Sequence, residues 1–170
     1  MLAYRQGDAG AFDTLYSRHK GPLYRFVLRA VRERAVAEEL YQEIWMRVIE
    51  ARGRYEARAR FTTWLYTIAH HRLTDHWRKR GLKVVELQDD DAAAPRADDP
   101  EARAAGREDL QRLAQAMAAL PGLQREAFLL HAEAGMTVAE IAVATGANEE
   151  AAKSRLRYAL GKLEAALKDD

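Results

Sequence analysis

Residues 136–163 read MTVAEIAVATGANEEAAKSRLRYALGKL, and a few side chains in this stretch limit what the backbone can do. Thr137 and Glu140 have the spacing of a capping box, in which the Thr hydroxyl accepts from a helical N–H and the Glu carboxylate reaches back to the cap. A helix therefore starts after Thr137. Gly146 stops it about two turns later, where a left-handed backbone costs glycine little. Asn148 caps a second helix, which turns Ala152, Leu156, Ala159 and Leu163 inward at spacings of three and four. Glu149, Glu150, Lys153, Ser154, Arg157 and Tyr158 are left outside. A short helix, a glycine turn and a longer helix with a basic outer face fit a helix-turn-helix, whose second helix enters the major groove of DNA. Lys and Arg donate to guanine O6 and N7, and Ser and Tyr reach bases or phosphates. The plainer alternative is a helical hairpin with a solvated face.

The rest of the chain is also helical in pattern. Phe12, Leu15, Tyr16, Leu23, Phe26 and Val27 recur at helical spacing, with Gly21-Pro22 expected to interrupt and kink the run. Leu40, Ile44 and Val48, flanked by Tyr41, Trp45 and Ile49, make a broad apolar stripe opposite an acidic face of Glu38, Glu39, Gln42 and Glu43. A break at Gly53 leads into a short basic loop. Thr62 or Thr63 is the expected cap of the next helix, in which Trp64 or Leu65, Ile68, Ala69 and Leu73 face a core. Farther on, Leu110, Leu113, Met117 and Leu120 form one helix, and Pro121 can start another that buries Ala127, Leu129 and Leu130. No stretch alternates with period two for long enough to make a strand, so the expected fold class is all-α.

Charge is sorted along the chain. The net charge is only +1, yet residues 52–80 carry eight Lys/Arg against two acids, and residues 86–109 carry nine acids against three Lys/Arg. The acidic stretch contains two prolines and little periodicity, which predicts a flexible linker without a core of its own. Two small helical domains joined by this acidic linker follow, with boundaries at 8–80, 81–107 and 108–168. The chain has no cysteine, which excludes disulfides, thiol catalysis and thiolate zinc fingers. No apolar run approaches the roughly 20 residues needed to span a bilayer. The start MLAYRQGDAGAF lacks a basic end and apolar core, so the expectation is a soluble, cytoplasmic protein.

Residues 60–80, RFTTWLYTIAHHRLTDHWRKR, admit three readings. A metal site is disfavoured, because adjacent His70 and His71 point about 100° apart on a helix and the step from His71 to His76 is five. A membrane-lying helix needs a wider apolar face than one broken by Thr and His. Nucleic acid fits better, since unstacked bases lie on aromatic rings and cations track phosphates. Trp64, Tyr66, His71, Trp77 and the loop 52–60 supply both, although some of these rings belong to the core.

The segment LPGLQREAFLLHAEAGMTVAEIAVATGANEEAAKSRLRYALGKL resembles the promoter −35-reading domain of the extracytoplasmic-function group of bacterial sigma factors, in the sigma-70 family. AFDTLYSRHKGPLYRFV, AEELYQEIWMRV and the 60–80 segment resemble the other domain of the same family. The resemblance covers roughly four fifths of the chain, in the family's order. One departure is that Ala151 and Ala152 stand where the family usually has Thr or Val.

The resemblance implies a subunit that directs RNA polymerase core to promoter DNA, not an enzyme, with no cofactor and no metal. It implies docking on the clamp coiled coil of the large polymerase subunit through Glu39, Leu40, Gln42, Glu43 and Trp45, with Glu39 standing for the usual Asp. The −10 element would be opened and held by Arg54, Arg58, Arg60, Phe61, Trp64, His70, His71, Arg72, Arg78 and Lys79. The −35 element would be read by Asn148, Glu150, Lys153, Ser154, Arg155, Arg157 and Tyr158. An anti-sigma factor is a further implied partner, and no membrane is. Two other readings are a stand-alone helix-turn-helix regulator, which leaves residues 10–80 without a purpose, and a helical metal-dependent hydrolase, which needs clustered inward His and Asp/Glu. Limited proteolysis is expected to cut first within 81–107, where unpaired backbone is exposed. A first cut inside either helical segment would remove this boundary.

Overall fold

The structure, a computed structural model, describes residues 1–81 and 105–168. The described residues form eight α-helices and one 3₁₀ turn, with no strand among them. The connector expected over 81–107 lies mostly outside them, although its last three residues already belong to a helix.

A short α1 (Leu2–Arg5) leads into α2 (Ala9–Val31), capped by the Asp8 carboxylate, which accepts from Ala11 N–H. Gly21-Pro22 does not end this helix. It runs 23 residues with Pro22 inside, and its buried face of Leu15, Leu23, Phe26, Val27 and Ala30 continues on both sides of the proline. Burial on one face thus outweighs the single backbone hydrogen bond that proline removes. The chain reverses at Arg32, whose φ of 63° lies in the left-handed region, and α3 (Arg34–Glu50) packs back on α2. A 3₁₀ turn (Arg52–Arg54) and a loop then reach α4 (Phe61–Lys79). Neither expected threonine caps α4. Arg60 occupies the cap without a side-chain bond, and Thr63 is buried one turn in, where its carbonyl accepts from the Thr67 hydroxyl at 2.8 Å.

The C-terminal helices are α5 (Ala105–Ala119), α6 (Gly122–Ala132), α7 (Val138–Thr145) and α8 (Glu149–Lys168). Pro121 precedes α6 as its cap residue. Leu120 and, in part, Leu113 and Met117 pack against Ala159 and Leu163 of α8, but Leu110, expected on the same buried stripe, is 67% exposed.

The two helical units share one core. Leu23, Phe26, Ile44, Leu65, Leu73 and Trp77 of the first unit are continuous with Leu123, Ala127, Leu130, Ile141 and Leu156 of the second. Gly122 makes one close approach, since a Cβ there would lie 3.5 Å from three carbons of the Trp77 ring. Because Leu130 is fully buried in this shared core, Leu130→Ala should cost about 2–5 kcal/mol in denaturant unfolding. Both units should melt in one transition, whereas two separated transitions with only one displaced would contradict a shared core.

Candidate nucleic-acid and polymerase interfaces

The helix-turn-helix is built as its caps require. Thr137 Oγ1 accepts from Glu140 N–H at 3.2 Å, and the Glu140 carboxylate accepts from Thr137 N–H at 3.0 Å. Together with Arg60, that N–H holds the Glu140 carboxyl below its ordinary pKa. Gly146 closes α7 at φ 64°. The Asn148 side chain accepts from Ala151 N–H at 2.7 Å and opens α8. Ala152, Leu156, Ala159 and Leu163 are buried, so the alanine at 152 is accommodated in the core. Asn148, Glu150, Lys153, Arg157 and Tyr158 stand exposed, with Ser154 and Arg155 at the edges of the face. The Arg157 guanidinium lies 5.4 Å from the centre of the Tyr158 ring, which braces a long side chain on that face.

At the start of α4, Phe61 and Trp64 are half-buried in an aromatic cluster with Tyr55 and His19. Leu65 turns inward instead of Trp64. Tyr66 and Trp77 are also core, which removes two of the rings expected to meet bases. Burial pushes the Tyr66 hydroxyl pKa up, consistent with an inward ring. The basic loop keeps Arg54, Arg58 and Arg60 exposed, with Arg58 paired to Glu56 at 2.5 Å. Tyr55 anchors that loop. It is 4% exposed, and its carbonyl accepts from Arg5 at 2.8 Å, a tie missed in the sequence although Tyr55 is the one aromatic residue among the loop's arginines.

His70 and His71 part company. His71 is exposed, as are Arg78 and Lys79, and Arg72 pairs with Asp75 at 2.7 Å. His70 is turned into the contact between the two units, where Nδ1 lies 2.9 and 3.0 Å from the two oxygens of Glu126, itself fully buried. His70 is thus not on the open face expected for it, because a buried carboxylate needs a donor and the His70 ring lies within hydrogen-bond distance of this one.

The acidic face of α3 also differs from expectation. Glu39, Gln42 and Glu43 are exposed, but Leu40 and Trp45 are 6% and 5% exposed and belong to the core. The Trp45 ring packs edge-on against Phe12 and Tyr16, and burial with a Tyr16 hydrogen bond pushes the neighbouring Tyr41 hydroxyl up to about 12. Met46 and Ile49, one and two turns along from the acids, are the apolar side chains left outside. Position 45 borders 42 and 49 on the helix surface, so the period alone does not separate it from that face; the rings of α2 that cover it do.

A helix-turn-helix in tandem with a basic, aromatic-fronted helix defines a DNA-reading protein of two helical modules. Residues 15–82 match the family model described as sigma-70 region 2, and residues 110–163 match the one described as sigma-70, region 4. The chain is 35% identical over 176 residues to the RNA polymerase sigma factor CarQ of Myxococcus xanthus, covering 96% of this chain and 97% of that one. It is 30% identical over 163 residues to the ECF RNA polymerase sigma factor SigK of Mycobacterium tuberculosis, covering 92% and 85%. Two solved structures share the fold, each at 24% identity and a TM-score of 0.71. One is CnrH in complex with the cytosolic domain of CnrY, covering 99% of this chain and 96% of that chain. The other is RpoE in complex with the anti-sigma factor NepR from Bartonella quintana, covering 94% and 98%. The chain belongs to the extracytoplasmic-function group of the sigma-70 family, whose members are transcription initiation factors.

Burial lowers the pKa of His76, with Arg80 adding repulsion, and burial likewise lowers that of His19. The folded chain then binds fewer protons than the unfolded chain near the ordinary histidine pKa of about 6.5, so stability falls as pH drops through that value. Melting temperature should decline on acidification from neutral pH, and His76→Gln should flatten the decline. An unchanged slope would show that His76 does not report burial.

Proposed function

We propose that the N-terminal unit, residues 8–80, grips RNA polymerase and opens the −10 element, and that the C-terminal unit, residues 108–168, reads the −35 element. Residues 81–107 connect them. The chain is a specificity subunit of the polymerase and not an enzyme, and it acts in the cytoplasm. The observation that carries this reading is the presence of both sigma-70 regions, in order, the second containing a correctly capped helix-turn-helix. Lys153 and Arg157, exposed and four apart on α8, are the principal −35 readers, supported by Asn148, Glu150, Ser154, Arg155 and Tyr158. The −10 side is the aromatic front of Phe61 and Trp64, the cations Arg54, Arg58 and Arg60, and His71, Arg72, Arg78 and Lys79. His70 joins this face only when it leaves Glu126.

The clamp coiled coil of the large polymerase subunit is met by Glu39, Gln42 and Glu43. Met46 takes the apolar anchoring role first expected of Trp45, since an apolar side chain bordered by charges suits an interface centre. An anti-sigma factor is the proposed regulator. The solved relatives of similar fold were captured with partners, one of them named an anti-sigma factor.

Open-complex formation on a fully paired promoter and on one with a pre-opened −10 bubble tests the division of labour. Trp64→Ala and His71→Ala should impair the paired template more, because the bubble removes the cost of unpairing. Arg157→Ala should impair both alike, by ~1–3 kcal/mol if it reads a base edge. Equal losses on both templates for Trp64→Ala and His71→Ala, with folding verified by circular dichroism, would remove melting from the role of α4.

A further inference from the structure

α1 is four residues long, and a single helical turn fixes several dihedrals for one hydrogen bond, so it needs support from outside itself. Tyr4 supplies that support. Its ring is buried and lies 5.0 Å from that of Phe12, which in turn packs edge-on against Trp45. Gly7, at φ 104°, makes the turn that lays α1 against α2, and a side chain there would strain the backbone although nothing fills the space beside it.

Seated in this way, α1 reaches the basic loop. The Arg5 guanidinium donates to the Tyr55 carbonyl at 2.8 Å across 50 residues of sequence, and the Arg52 guanidinium lies 5.0 Å from the centre of the Tyr4 ring. Tyr55 turns its own ring toward Trp64, at 4.8 Å between centres, and Phe61, at 6.4 Å. It is the one buried residue between positions 52 and 60. The backbone bonds the loop makes for itself are local, from Arg54 N–H to Ala51 at 3.0 Å and from Arg58 N–H to Glu56 at 2.9 Å. Four arginines share this loop with Glu56 as its one acid, and their mutual repulsion works against a fixed shape.

We propose that α1 positions the −10 contact surface: Arg5, through the Tyr55 carbonyl, holds the loop 52–60 and the rings of Phe61 and Trp64 in the arrangement that an unpaired strand meets. The inference rests on the assignment of these residues to the −10 element made above. Arg5 is a positioning residue, acting through Tyr55 and not by reading a base. A segment that has to be ordered when its ligand arrives gives up affinity, and one ordered beforehand does not. The tie from α1 moves that cost from the encounter with DNA to the folding of the N-terminal unit.

Arg5→Ala removes the donor, and Arg5→Lys keeps one. In the full-length protein, hydrogen exchange at the bonded amides of Arg54 and Tyr55 should quicken about tenfold in Arg5→Ala and stay near wild type in Arg5→Lys, with α3 and the later turns of α4 unchanged. Arg5 is exposed, so the melting temperature should move little. Wild type and variants, assembled with core polymerase, are then titrated with the single-stranded non-template −10 segment of a promoter selected from a random DNA pool by run-off transcription with the wild type. Arg5→Ala should weaken binding of this strand about tenfold and Arg5→Lys much less, while affinity for core polymerase stays the same in all three. A merely structural role would not single out the strand. Gly7→Ala strains the turn and keeps every loop residue in place; it should act in the same direction, and it carries the test if Arg5→Ala does not fold.

Unaltered exchange at Arg54 and Tyr55 in these variants would overturn the tie. Faster exchange with unaltered strand binding would overturn its role toward DNA, as would a loss in Arg5→Lys as large as that in Arg5→Ala, and both results leave the sigma-factor reading intact. A wild-type holoenzyme that does not hold the −10 strand removes the −10 assignment itself, and the role of α1 falls with it.

Discussion

A helix has one circumference, and α4 has to divide it among three demands. Leu65, Ala69, Leu73 and Trp77 fill the core, Phe61 and Trp64 form the half-exposed aromatic front, and His70 meets the second unit. With about 3.6 residues per turn, neighbouring positions fall into different environments. This is why His70 and His71 have such different surroundings, and why Trp77 can be structural while Arg78 beside it is 71% exposed at its side chain. Burial of the apolar arc is the strongest of the three demands, and the other two take the positions it leaves.

Arg125 plays the corresponding part in the C-terminal unit. Its guanidinium donates to the carbonyls of Met117, Ala118 and Leu120 at 2.7 to 2.9 Å and to that of Ala30 at 3.0 Å. Carbonyls at a helix end lack intrahelical partners, so one side chain closes the end of α5 and ties it to the end of α2. Burial lowers the pKa of this guanidinium, with repulsion from Arg32 adding to the effect. The arrangement joins the two units through backbone atoms as well as through the shared core.

Much of this was legible from spacing alone. Thr137, Glu140, Gly146 and Asn148 act through local backbone bonds at fixed offsets, so the turn of the helix-turn-helix could be placed from sequence. The inward set Ala152, Leu156, Ala159 and Leu163 followed from period. Other features depend on what packs from elsewhere in the chain. Pro22 is carried through α2 by burial on both sides, and Thr63 is drawn inside instead of capping α4. The resemblance puts Trp45 among the docking residues, but aromatic rings from α2 cover it. The pairing of His70 with Glu126 spans 56 residues and has no local signature.

Gly122 lies at the join between the units, with the indole of Trp77 facing its bare backbone. A methyl group fits there at ordinary contact distance, while a branched or long side chain would meet the ring. The fit between the two halves of the molecule can therefore be adjusted by side-chain volume at one position, without altering the helices on either side. The volume at residue 122 thus sets how closely α6 can seat against the indole of α4.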